Sequence, residues 1–103
     1  MTDPTRLFYN DLSPPKQEYW AARLIPNAAH IPATHITHAA YPYHEITYLY
    51  CENDQALLLQ IQKQMVEKVR GLGIKVDEEI CTAGHSPYLS MPERVLEVVQ
   101  KIC

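Results

Sequence analysis

The chain has 103 residues, 47% of them hydrophobic and 20% charged, with a formal net charge of −3 at pH 7. That length allows one domain at most, and that apolar content supports a core rather than disorder throughout. The acidic balance excludes the basic field on which nucleic-acid binding draws, and the longest purely apolar run, "ALLL" at 56–59, is far too short to cross a bilayer.

The N-terminal third reads as irregular and proline-rich. "MTDPTRLFYN" has no apolar stretch behind its aspartate and proline, so no secretory leader is expected. In "DLSPP" (11–15), Ser13 is a candidate N-cap with Pro14 at the first helical position. "KQEYWAARL" then predicts a short helix, stopped by Pro26. From Asn27 to Tyr43 no period emerges, and the stretch reads as a connector.

At Glu45 the character changes. "EITYLYC" (45–51) is β-branched and aromatic and apolar on both faces, which predicts a strand covered on both sides, as in parallel sheets. A helix follows, because Ile61, Met65 and Val69 recur every four residues, with Leu58, Val66 and Leu72 widening the stripe. Gly71 and Gly73 are its stop signals. "IKVDEEI" (74–80) reads as a more acidic, edge-like strand. Ser90 with Glu93 predicts a capping box for "PERVLEVVQKI", with Val95, Leu96, Val98, Val99 and Ile102 facing inward.

Strand, helix, strand, helix over 45–102 predicts two adjacent parallel strands joined by a crossover. Open parallel sheets carry ligands off the carboxyl ends of their strands. Asp54 follows the first strand there, and His85 follows the second in "CTAGHSPYLS" (81–90). An aspartate on one imidazole nitrogen fixes the tautomer and leaves the other nitrogen to take a proton from a hydroxyl. The chain has only Ser13, Ser86 and Ser90, none of them in a G-x-S-x-G elbow, so the pair lacks a nucleophile here. Cys81 as a nucleophile for His85 is disfavoured by its place before the turn. His30, His35, His38 and His44 lack the cysteines or carboxylates that would complete a metal site, so no metal and no cofactor are expected. Cys51, Cys81 and Cys103 form no C-x-x-C pair, which suits a reducing, cytoplasmic setting.

Three segments carry a family resemblance. They are "LFYNDLSPPKQEYWAARLIPNAA" (7–29), "TYLYCENDQALLLQIQKQMV" (47–66), with Gln62 eight residues past Asp54, and "AGHSPYLSMPERVLEVV" (83–99). Together they resemble the C-terminal part of an α/β-hydrolase, most of all the branch holding plant methylesterases, hydroxynitrile lyases and their fungal and bacterial relatives. The resemblance implies that residues 1–43 end a cap region and residues 44–103 form the C-terminal part of the hydrolase core. It further implies that Asp54 is the triad acid and His85 the base, with Tyr88 as a pocket wall. The expected role is the acid–histidine part of a carboxylic-ester hydrolase, inactive alone and acting on a small-molecule ester only with a missing N-terminal segment. The alternative is a non-catalytic module that self-associates through an open sheet edge.

Overall fold

The computed structural model describes residues 3–26, 31 and 33–103. Among these, two N-terminal helices, α1 (Pro4–Phe8) and α2 (Pro14–Ala21), precede a 3-10 turn at Tyr41–Tyr43. Then come β1 (Ile46–Cys51), α3 (Leu59–Arg70), β2 (Val76–Cys81), α4 (Pro87–Ser90) and α5 (Pro92–Ile102). β1 and β2 run parallel, in register from Ile46 opposite Val76 to Cys51 opposite Cys81. Helices joined to a small parallel sheet make this an α/β arrangement.

The alternation of strand side chains decides what each helix covers. Tyr50, Val66 and Val76 form a buried cluster beneath α3, with Ile46, Tyr48, Leu59 and Val69 around it. Arg70, at the end of α3, reaches back to β2, where it donates to the Val76 carbonyl at 2.7 Å and pairs with Glu78. α5 is tied to the neighbouring, opposite-facing residue. Lys101 bonds the Glu79 carboxylate at 2.9 Å, and Arg94 bonds the same carboxylate at 3.1 Å and the Ile80 carbonyl at 3.0 Å. Lys101 first, and Arg94 with it, hold the Glu79 carboxyl below its ordinary range. A second cluster of Cys51, Cys81 and Ala83, with Leu49 and Met91 packed on it, sits at the carboxyl ends of the strands.

Several details differ from the sequence reading. α1 was not expected, although its signal is local: Asp3 caps it by accepting from the Arg6 amide at 3.2 Å, with Pro4 following at the first position. α2 begins at Pro14 and ends at Ala21, and Ser13 precedes it without a side-chain capping bond. β2 starts two residues late, because Gly73 turns the chain at φ +82° and the strand resumes only at Val76. The Ser90–Glu93 capping box does not form. Ser90 instead closes the turn of α4, its hydroxyl 3.5 Å from the Ser86 carbonyl, and Met91 precedes α5. The helix stripes are also rotated from expectation. α3 buries Gln62 and Val66 while Ile61 and Met65 stay exposed, and α5 buries Val98 while Leu96, Val99 and Ile102 stay exposed. β1 is buried only at Tyr50 and Cys51, with Ile46–Leu49 half-buried, so its covering is partial.

No helix among the described residues is long and apolar enough to cross a membrane.

Candidate functional site

Cys51 and Cys81 are partners on the last rung of the ladder, so the loops after β1 and β2 leave the same edge of the sheet. Hydrogen bonding continues past the strands. The Glu52 amide donates to the Cys81 carbonyl and the Asn53 amide to the Ala83 carbonyl, each at 3.0 Å. Asp54 comes three residues after Cys51 and His85 four after Cys81, and this shared exit brings them together.

The acid loop is held from two sides. Gln62 on α3, 1% exposed, turns its carboxamide on the end of β1. Its Oε1 accepts from the Cys51 amide at 2.9 Å, while Nε2 donates to the Cys51 carbonyl at 3.0 Å and the Leu57 carbonyl at 2.7 Å. The side chain thus supplies the pairing a neighbouring strand would otherwise provide. Asp54, 5% exposed, accepts at Oδ1 from the Ala56 and Leu57 amides at 2.8 and 2.9 Å. Two backbone donors fix its rotamer.

His85 meets this carboxylate directly. Its Nδ1 lies 2.9 Å from Asp54 Oδ2 and 3.1 Å from Oδ1. A carboxylate at Nδ1 requires the proton on that nitrogen, which leaves Nε2 as the basic one. Nε2 has no partner among the described residues, and the side chain is 38% exposed. The arrangement can therefore accept a proton at Nε2 while Asp54 steadies the imidazolium.

The segment before α2 completes the site, and the sequence reading missed its role. Asn10 Nδ2 donates to the Asn53 carbonyl at 2.9 Å, beside the acid. Asp11 Oδ2 accepts from the Gly84 amide at 2.8 Å, and the Phe8 carbonyl accepts from Ser86 Oγ at 2.9 Å, on either side of the histidine. The Phe8 ring lies 5.1 Å from the imidazole, tilted by 40°. Tyr9 and Leu12, 7% and 9% exposed, anchor this segment. Gly84 is required by the close approach, because a Cβ there would fall on Asn10 Oδ1. Asn10 Oδ1 itself is buried without a partner among the described residues. Nothing in "FYND" announces a long-range contact; only its density of polar residues near the chain start distinguishes it.

His85 lines an open pocket of about 500 Å³ with Phe8, Tyr9, Leu24, Ile25, Pro26, Ser86 and Tyr88. Tyr88 stands at this wall, 63% exposed. A larger hollow of about 810 Å³ opens around Tyr41–Ile46 and Leu72–Lys75, at the amino ends of the strands. Open parallel sheets place ligands at the other end, which favours the His85 pocket.

The remaining candidates offer His85 no nucleophile. Ser86 is 2% exposed and its hydroxyl is spent on Phe8. Cys81 is buried with its sulfur 3.9 Å from that of Cys51. Burial first, then the Cys81 thiol, push the Cys51 thiol up to about 12. Among the described residues no three histidines, cysteines or carboxylates gather as metal ligands, and His30 lies outside those residues.

No family model matches the chain. Over 95 residues, 91% of its length, it is 33% identical to alpha/beta hydrolase nvfD of Aspergillus novofumigatus (strain IBT 16806). The matched region is 36% of that relative, so the chain spans about a third of the length of the curated protein it resembles. This similarity supports the α/β-hydrolase superfamily.

Proposed function

We propose that this chain is the acid–histidine portion of an α/β-hydrolase that cleaves carboxylic esters, with Asp54 as the triad acid, His85 as the general base and Tyr88 on the substrate wall. The observation that carries the reading is the 2.9 Å contact between His85 Nδ1 and the buried Asp54 carboxylate, with Nε2 left to act. The nucleophile comes from polypeptide outside these 103 residues, because Ser86 is buried and committed elsewhere. Within the superfamily we place the chain in the methylesterase and hydroxynitrile lyase branch, and we favour ester hydrolysis over lyase chemistry. Gln55 stands beside the acid where a pocket lysine would suit the lyase. Residues 1–43 then belong to a cap and residues 44–103 to the core, in a cytoplasmic protein whose substrate is a small ester.

The test is complementation. The chain alone should hydrolyse 4-nitrophenyl esters no faster than its His85→Ala variant, since losing the nucleophile of a triad costs on the order of 10⁶ in kcat. Adding a serine-bearing segment, built from the part of the Aspergillus relative outside the match, should restore turnover that His85→Ala abolishes. A folded complex that stays inactive would sink the proposal.

One observation favours a second reading, a non-catalytic assembly module. Ile61 and Met65 on α3 and Leu96, Val99 and Ile102 on α5 stay exposed on both sides of a two-stranded sheet. A stable dimer in light scattering, unchanged by Asp54→Ala, would favour that reading.

A further inference from the structure

We infer that Asp11 is the positioning residue for the His85 imidazole, acting through the Gly84 amide. The inference rests on the reading of His85 as the base. Three residues adjoining the acid–histidine pair are each tied to the short segment 8–11. These are Asn53 before the acid, Gly84 before the histidine and Ser86 after it. Asn53 bonds the Ala83 and Thr82 carbonyls farther back, and Asp11 holds the tie nearest His85 on its amino side. The loop there contains a glycine, the residue with the widest backbone freedom, and therefore needs an external constraint. Asp11 lies 73 residues away in sequence, so the constraint is tertiary rather than local. A carboxylate accepting from a backbone amide makes a shorter and stronger bond than a neutral acceptor. Glycine at 84 is what lets Asn10 and Asp11 come that close. With both flanks of His85 held and the Phe8 ring beside the imidazole, the ring is set to meet Asp54 before any substrate arrives.

The experiment follows the His85 Nδ1 proton by NMR in the 103-residue chain, measuring its exchange with solvent and the ring nitrogen shifts, alongside thermal unfolding. In the parent chain this proton should be protected by its bond to Asp54. Asp11→Ala should speed its exchange about tenfold with the unfolding midpoint little changed. Asp11→Asn, which keeps an oxygen acceptor of the same reach, should stay within about twofold of the parent. If Asp11→Ala does not fold, Asp11→Ser carries the comparison, because its hydroxyl sits one bond short of the Gly84 amide. Parent-like exchange and ring shifts in the folded alanine or serine variant would overturn the positioning role and leave the acid–histidine reading standing. An unprotected proton in the parent chain would overturn both.

Discussion

Cys51 and Cys81 face each other on the final rung of the parallel ladder with their sulfurs 3.9 Å apart. That rung is the common origin of the two loops that carry Asp54 and His85. The thiols pack with Ala83, Leu49 and Met91 as small apolar groups, closing the sheet beneath the site. A proton on Cys51 is therefore part of the fold.

Stability should depend on that proton. Cys51 titrates at about 12 in the folded chain, against an ordinary value of 9.0. The folded state then binds the proton more tightly than the unfolded one, so the contribution is whole below pH 9 and is lost as pH rises towards 12. Denaturant midpoints should fall over that window, and less steeply in Cys51→Ala. Equal slopes in both chains would refute the assignment. The comparison with the variant matters because Tyr48 and Tyr50 are also raised by burial and add a fall of the same sign.

The same proton controls alkylation. At pH 8 the Cys51 thiolate fraction is on the order of 10⁻⁴, whereas Cys103 is exposed. Iodoacetamide should label Cys103 first and leave Cys51 until the chain unfolds. Peptide mass mapping that found Cys51 labelled as fast as Cys103 would contradict its burial.

Gln62→Leu should destabilise more than its loss of polarity suggests. The substitution strands the buried Cys51 amide and leaves its carbonyl only the longer bond from the Asp54 amide at 3.4 Å, at a cost of about 3 kcal/mol. Urea unfolding reads the loss, and faster hydrogen exchange at the Cys51 amide locates it. A midpoint close to the parent's would show that water replaces the carboxamide.

Asp54→Ala removes the acceptor for the Ala56 and Leu57 amides as well as the partner of His85. A cost of about 2 kcal/mol is expected from charge-assisted bonds of this kind. Asp54→Asn should recover part of it, because an amide oxygen can still cap the turn. Identical unfolding curves for the two variants would mean that the turn does not depend on residue 54.

Gly84→Ala tests the close approach of the N-terminal segment. The added methyl falls on Asn10 Oδ1, and overpacking of this kind costs about 1–3 kcal/mol. The Asn10→Gly background should relieve most of that cost. A Gly84→Ala penalty unchanged in that background would place the clash elsewhere.

Local pattern was enough to read β1, α3, β2 and α5, though not α4, and to place Asp54 and His85 after adjacent strands. Strand composition, a four-residue helical period and glycine stops act over one or two turns of chain, and all of them are written in neighbouring residues. The parallel register then put the two loops together, as the strand–helix–strand order implied. Short-range signals failed where two local choices competed. Ser90 could cap α5 or close α4, and the preceding turn took it.

Only the tertiary structure decided the rest. Gln62 belongs to the polar complement of its helix by periodicity, yet it is buried because the end of β1 needs partners for an amide and a carbonyl. Ile61 and Met65 belong to the apolar stripe, yet they stay exposed because, among the described residues, the sheet beneath α3 is two strands wide. Residues 8–11 look like an unstructured lead-in, but they brace the acid and histidine loops through contacts more than 40 residues distant in sequence. Periodicity reports which side chains prefer to leave water. Which backbone groups lack a partner, and which distant segment can reach them, is settled only when the chain has closed on itself.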